Sequence, residues 1–212
     1  MKKMRIGITM RIVKAPNYDE ERDALSHDWN NFSELSNIVL IHIPNLSKVI
    51  SYIEELDLDG IILSGGDDIG ETPKRDDTEY QIMKYCSLNR LPVFGVCRGM
   101  QIINTFFNGK LDKDKTGDHI KNSHSVEIVN SKYVDINERY VNVNSYHQNM
   151  IDNTSLGNDL DVFAISKNDN SVEGFIHNSL PIMGVMWHPE REPNTFNQKL
   201  ITHFFSINDQ KR

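Results

Sequence analysis

Gly95-Val96-Cys97-Arg98-Gly99 stands between an apolar strand, Val93 to Val96, and a helical stripe marked by Met100, Ile103 and Phe107. Passing from strand to helix in so few residues needs a turn too sharp for larger flanking side chains, which explains the two glycines. The central residue of such a turn is held in a strained backbone conformation. It points out at the carboxyl edge of the sheet, where open α/β folds build their sites. Here that residue is a cysteine, and the positive end of the helix dipole favours its thiolate over its thiol. Cys86 lies among Ile82, Tyr85 and Leu88 without flanking glycines or a strand end, and is expected in the core.

The same alternation runs through the first half of the chain. An apolar run from Arg5 to Met10 precedes a polar stretch, Arg11 to Arg22, read as a long loop, and helical spacing follows at Leu25, Trp29, Phe32 and Leu35. Ile38 to Ile43 leads through Pro44-Asn45 to Val49, Ile50, Ile53 and Leu56. Ile61 to Leu63 runs into the turn-rich Ser64-Gly65-Gly66-Asp67-Asp68; beyond a charged segment, Glu71 to Glu79, Ile82 and Cys86 suggest another helix. Parallel strands need crossovers, usually helices, so this order predicts a parallel sheet covered on both faces. From Ser125 the runs Val126 to Ile128, Tyr140 to Val143, Val162 to Ile165 and Val172 to Ile176 are short and separated by Asn, Asp, Ser and Gly, which reads as antiparallel additions. Ile182 to Met186 is again an uninterrupted apolar strand, and Phe196, Leu200, Phe204 and Ile207 mark a terminal helix. The expected fold is α/β: a doubly wound, mostly parallel sheet with helices on both faces and added antiparallel strands. It forms one domain over residues 1–212, with the polar stretch Leu111 to Ser123 as a connection.

Composition removes several functions. With 23 Lys+Arg against 30 Asp+Glu the formal net charge is −7, which argues against a nucleic-acid partner. No apolar run approaches the roughly 20 residues of a membrane span. The start, Met1 to Arg5 followed by Ile6-Gly7-Ile8-Thr9-Met10, lacks a cleavage site and reads as a first strand. Two cysteines in such a chain point to a reducing compartment, so a cytoplasmic address is expected.

A thiolate nucleophile needs a proton carrier, and the carrier needs an acceptor to orient it. Trp187-His188-Pro189-Glu190 supplies both beyond the apolar strand Ile182 to Met186, with Pro189 stiffening the turn between imidazole and carboxylate. Ser64-Gly65-Gly66 is another glycine-rich strand end. One of its backbone N–H groups, with that of Arg98, could form an oxyanion hole.

These three motifs, in this order, resemble the class I glutamine amidotransferase-like superfamily over essentially the whole chain. Arg98 after the nucleophile and Val143-Asn144-Ser145-Tyr146-His147-Gln148 look like its γ-glutamyl-γ-aminobutyrate hydrolase (C26 peptidase-like) branch. The resemblance implies that Cys97 attacks a γ-glutamyl carbonyl, His188 shuttles the proton, Glu190 orients His188, and the N–H groups of Gly66 and Arg98 form the oxyanion hole. It also implies that Gln101 and the Ser145-Tyr146 backbone hold the glutamyl group; His147, in the same loop, is placed among substrate contacts rather than in catalysis. The chain departs from common relatives at Ile102, where many carry an acidic residue, and at Asn108-Gly109, where a double glycine is frequent.

Specificity for the leaving group is expected from the long first loop, which holds Arg11, Lys14, Tyr18, Arg22 and Asp23, with His27 and Trp29 beyond. Arg11 and Arg22 suit phosphate, because a guanidinium is a rigid, permanently charged fork of donors. Glu21-Arg22-Asp23-Ala24-Leu25 and Asp28-Trp29 also look like a subgroup of these hydrolases associated with surface-polysaccharide pathways. One activity in that setting removes glutamate from a γ-glutamyl nucleotide phosphoramidate and leaves CDP-amidate. γ-Glutamyl-γ-aminobutyrate is the rival substrate, and a glutaminase subunit docked on a synthetase is the rival function. A hydrolase of this kind needs no cofactor and no protein partner. His119 and His124 invite a metal reading, but no third ligand of fitting spacing accompanies them; no metal is expected, and both are placed at the surface or the substrate edge.

Overall fold

The computed structural model describes residues 3–114, 119–130 and 138–209. The chain opens with β1 (Met4–Thr9), a small hairpin of β2 (Arg11–Lys14) and β3 (Glu21–Ala24), and α1 (His27–Leu35). Next come β4 (Ile38–Ile43), α2 (Val49–Glu54), β5 (Gly60–Leu63), α3 (Pro73–Asn89), β6 (Val93–Val96) and α4 (Arg98–Phe106). The second half contributes β7 (Asp112–Lys113), β8 (Ile120–Ile128), β9 (Tyr140–Tyr146), β10 (Asn149–Met150), β11 (Leu160–Ser166), β12 (Val172–His177), β13 (Ile182–Val185) and α5 (Thr195–Asp209).

Nine strands form one sheet in the order β4-β1-β5-β6-β13-β12-β11-β8-β9. β4, β1, β5, β6 and β13 run parallel, and β12, β11, β8 and β9 extend the sheet by antiparallel pairing. Alternate residues of the central strands go to opposite faces. Ile62, Phe94 and Val185 join Trp29, Phe32, Phe204 and Phe205 under α1 and α5. Ile61, Leu63 and Val93 join Ile53, Ile82, Met83 and Ile103 under α2, α3 and α4. Both faces are therefore dry, as a parallel sheet requires. Cys86 is in the second core, 1% exposed. No helix among the described residues is long and apolar enough to cross a membrane.

Three local expectations are corrected. The expected loop from Arg11 to Arg22 is a hairpin in which Arg11 to Lys14 pairs with Ala24 to Glu21, outside the main sheet. Its second strand, Glu-Arg-Asp-Ala, lacks the apolar alternation by which strands are read. The charged stretch before Ile82 is the first half of α3, which starts at Pro73, and its Arg75 and Glu79 are fully buried. In the connection from Leu111 to Ser123, Asp112–Lys113 pairs with β10 and β8 begins at Ile120, while residues 115–118 lie outside the described residues.

Candidate active site

β6 ends at Val96 and α4 begins at Arg98, which leaves Cys97 alone at the junction with φ 51° and ψ −105°. A residue with a β-carbon is held there only by its surroundings. The Cys97 N–H donates to Val185 O at 2.8 Å, and the Cys97 carbonyl accepts from Gln101 N–H at 3.1 Å. A β-carbon on Gly95 would stand 2.6 Å from the carbonyl carbon of Gly99, and one on Gly99 would collide with the Leu63 carbonyl. Both glycines are thus required by close approach.

The parallel register of β13 and β6 sets Val185 beside Val96, so the segments leaving both strands emerge at one edge. His188 Nδ1 lies 2.7 Å from Glu190 Oε1. The carboxylate accepts the Nδ1–H, which leaves Nε2 to face the sulfur. Asn144 brackets the histidine backbone: its Nδ2 donates to His188 O and its Oδ1 accepts from His188 N–H, both at 2.9 Å. The Tyr146 ring stands edge-on to the imidazole at 5.8 Å. Burial pulls the His188 pKa down, but the charge and hydrogen bond of Cys97, followed by those of Glu190, outweigh it and push the value up to about 10.

The imidazole is therefore protonated at neutral pH. Acyl transfer that uses His188 as proton donor is expected to keep a level kcat/KM through neutrality and to lose it as pH approaches about 10. A midpoint at the ordinary imidazole value of 6.5 in the pH profile would count against this pairing. The same shift stabilises the fold fully below pH 6.5, and that contribution is lost as pH rises through about 10.

Gly65 meets His188 directly: a β-carbon there would stand 2.6 Å from Cε1 of the ring. Gly65→Ala is expected to push the imidazole off its line with Cys97 and lower turnover by about 100-fold while the fold persists. Turnover and Tm measured together check this, and unchanged turnover would show that the ring has room to move.

Beneath the glycine turn lies a buried ionic cluster. Arg75 Nε lies 3.1 Å from Glu79 Oε1, Arg98 binds the other Glu79 oxygen and Asp76, and Thr9 Oγ1 donates to Glu79 Oε1 at 2.8 Å. Burial raises the Glu79 pKa, but the guanidinium groups of Arg75 and Arg98 more than offset this and hold it below the usual carboxylate range. Arg75 also donates to Ser64 O at 2.8 Å and Gly65 O at 3.1 Å. Because C=O and N–H point to opposite sides of a trans peptide, the Gly66 N–H faces away from Arg75. The Arg98 side chain is committed to this cluster, so what it offers beside Cys97 is its backbone N–H.

Cys97, His188, Glu190, Gly66, Tyr146 and Arg11 share the wall of one cavity of about 210 Å³. The other expected site residues are not on that wall. Gln101 is buried behind it with Nε2 against Met186 Sδ and Oε1 without a hydrogen-bond partner. Ser145 Oγ donates to His119 O at 2.8 Å. Arg22 is an exposed partner of Glu20 at 2.5 Å. His147 joins His119 and His124 around Glu173, where burial pushes its pKa below the ordinary imidazole range. His119 and His124 are themselves 0% and 4% exposed, so of their two expected places, the surface or the substrate edge, the surface is corrected; His119, His147 and Glu173 bring ligand-type atoms within 4.8 Å of one another, a grouping that sequence spacing did not reveal. Sequence reasoning missed Arg191, which lies on the cavity wall with its guanidinium 4.1 Å over the Tyr146 ring. Its signal was a cation directly after Trp187-His188-Pro189-Glu190.

The glutamine amidotransferase class-I family matches residues 17–207, and the chain belongs to this family of enzymes. The resemblance carried by the three motifs thus holds. The chain is 32% identical over 212 residues to the gamma-glutamyl-CDP-amidate hydrolase of Campylobacter jejuni subsp. jejuni serotype O:2, covering 96% of this chain and 98% of that one. It is also 32% identical over 171 residues to anthranilate synthase component 2 of Saccharolobus solfataricus, covering 78% of this chain and 85% of the relative. A solved glutamine amidotransferase structure from Thermotoga maritima superposes with a TM-score of 0.65 over 98% of this chain and 94% of that one, at 15% identity. That likeness shows the fold.

Proposed function

We propose that this protein is a free-standing γ-glutamyl hydrolase of the cytoplasm that takes a small-molecule γ-glutamyl amide with a phosphorylated leaving group, γ-glutamyl-CDP-amidate. The observation that carries the reading is Cys97 sharing with a Glu190-oriented His188 the wall of a cavity that also presents Arg11 and Arg191. The activity named for the Campylobacter relative, which matches nearly end to end, supports the choice of leaving group.

The Cys97 thiolate adds to the γ-carbonyl carbon, and the developing oxyanion is held by the N–H groups of Gly66 and Arg98. His188 gives its proton to the departing nitrogen as the C–N bond breaks, leaving a thioester and the free amidate. Water, losing a proton to His188, then attacks the thioester; glutamate leaves and the thiolate returns. Gln101, behind the cavity wall with its Oε1 unpartnered, would reach the glutamyl ammonium only once the wall opens, with the backbone of Ser145 and Tyr146 completing that subsite and His147 buried behind it. Arg11 is already paired with Asp67 at 2.7 Å, so Arg191, from beyond Glu190, joins it as phosphate contact, ahead of the more remote Arg22.

Glutamate release by the purified protein, compared on γ-glutamyl-CDP-amidate, γ-glutamyl-γ-aminobutyrate and glutamine, tests this. Preferred turnover of the nucleotide compound, with KM raised by Arg191→Ala and Arg11→Ala more than by Arg22→Ala, is the expected result. Preference for γ-glutamyl-γ-aminobutyrate would replace the leaving group, and glutamine turnover appearing only with a synthetase would replace the free-standing hydrolase. The second outcome has a specific basis, since one relative is named as a synthase component.

A further inference from the structure

The histidine and carboxylate cluster beneath the substrate edge has no part in the chemistry above. Glu173 on β12 is 1% exposed, and its Oε1 lies 3.6 Å from His119 Nδ1, 3.4 Å from His124 Nε2 and 3.7 Å from His147 Nε2. These separations exceed hydrogen-bond length, which for such groups is about 2.7–3.2 Å. Both Glu173 oxygens, His119 Nδ1, His147 Nε2 and both ring nitrogens of His124 are buried without hydrogen-bond partners. Leaving six polar atoms unsatisfied in one spot is costly, and native interiors rarely do so.

The far sides of the His119 and His147 rings are satisfied. His147 Nδ1 lies 2.9 Å from the carbonyl of Asn149, which only accepts, so Nδ1 carries the hydrogen and a neutral ring aims a lone pair from Nε2 at Glu173. His119 Nε2 lies 2.9 Å from Asp169 Oδ2, so that carboxylate takes the ring's hydrogen and leaves the Nδ1 lone pair inward. The lone pairs of His119 and His147 thus converge on the carboxylate with no hydrogen of their own between them, and the ring able to turn a hydrogen toward it is His124, whose Nε2 stands 3.4 Å from Oε1. A backbone carbonyl or a carboxylate behind each imidazole is also how metal-bound histidines are oriented.

We propose that His119 Nδ1, His147 Nε2 and the Glu173 carboxylate hold a divalent transition-metal ion of the zinc class, with His124 beside it. The three ligand atoms lie within 4.8 Å of one another. Ligands about 2.1 Å from a tetrahedral zinc ion stand about 3.4 Å apart, close to the spacing found around Glu173 Oε1. Two imidazoles and one carboxylate are a borderline donor set suited to zinc, rather than the all-oxygen set of calcium or magnesium. A cavity of about 410 Å³ lined by Asp112, Asp114, Asp152 and Asp169 against the single cation Lys113 adjoins the cluster, and Asp169 is both its wall and the partner of His119. Its negative potential would gather cations at the ring whose outer nitrogen it touches.

The ion's effect is structural. The His119 carbonyl accepts from Ser145 Oγ at 2.8 Å and from His147 N–H at 3.1 Å, while the Glu173 carbonyl accepts from Met186 N–H at 2.8 Å. Binding would therefore brace the end of β9 that carries Tyr146 and the segment that leads to His188.

Cys97 and His188 could bind zinc themselves, so the test uses the Cys97→Ala protein, stripped with a chelator and titrated with Zn²⁺ and Co²⁺. One equivalent by elemental analysis, a raised Tm, and a Co²⁺ absorption of nitrogen and oxygen coordination are expected. Glu173→Gln is expected to weaken binding by about 100-fold or more. Should that variant not fold, His147→Asn serves in its place. Failure of the Cys97→Ala protein to bind an equivalent, or equal affinity in the Glu173 and His147 variants, overturns the proposal. Neither result depends on which γ-glutamyl compound is hydrolysed.

Discussion

Cys97→Ala is expected to lower glutamate release by about 10⁴-fold or more, because covalent catalysis disappears while the cavity and its backbone donors stay. The variant also carries a second readout that simple loss of activity does not give. The largest influences raising the His188 pKa are the charge of Cys97 and its hydrogen bond, with Glu190 behind them. Alanine removes the first two, so the His188 ring titration followed by NMR should move down from about 10 toward the ordinary 6.5. An inactive variant whose His188 still titrates near 10 would mean that Glu190 alone holds the proton.

The largest expected loss of stability comes from Glu79→Ala. The carboxylate is fully buried between the guanidinium groups of Arg75 and Arg98, which are 0% and 1% exposed. Removing it leaves the buried Arg75 without a carboxylate and Arg98 with Asp76 alone, and breaking a buried pair in this way costs about 3–5 kcal/mol. At about 2–4 °C per kcal/mol for a chain of this size, Tm should fall by roughly 6–20 °C. The wild-type cluster also has a pH signature. Glu79 has a depressed pKa, so its contribution is present above the ordinary value of 4.5 and is lost as pH falls through the lower folded value. The variant should lose that part of its acid sensitivity. A Tm change of only a degree or two would mean that the cations find other partners.

The elbow and the His188–Glu190 pair were legible because their constraints are local: two glycines and a cysteine within five residues, and an imidazole two residues from its carboxylate. The core faces were legible from strand and helix period. The hairpin was hidden because Arg22 and Asp23 carry no apolar alternation, and the start of α3 because Arg75 and Glu79 turn inward, against the rule that charge marks the surface. The histidine cluster was beyond local reading, since His119, His147 and Glu173 meet only after β8, β9, β11 and β12 have paired. Arg191 lay beside a motif that was read, but its role comes from the Tyr146 ring, which sequence spacing does not bring near.

The β2–β3 hairpin shares no ladder with the nine-stranded sheet, and among the described contacts Asp23 with Asn45 is one of its few side-chain ties to the body. Through Arg11 and Ala24, together with Leu25, Ser26 and Trp29, it nevertheless lines the cavity that Cys97 also lines. The cavity is thus built from two mechanically separate parts: substitutions in the hairpin can reshape its rim without disturbing the parallel ladder of β6 and β13 from which Cys97 and His188 emerge, whereas the strand-to-helix turn tolerates no such change.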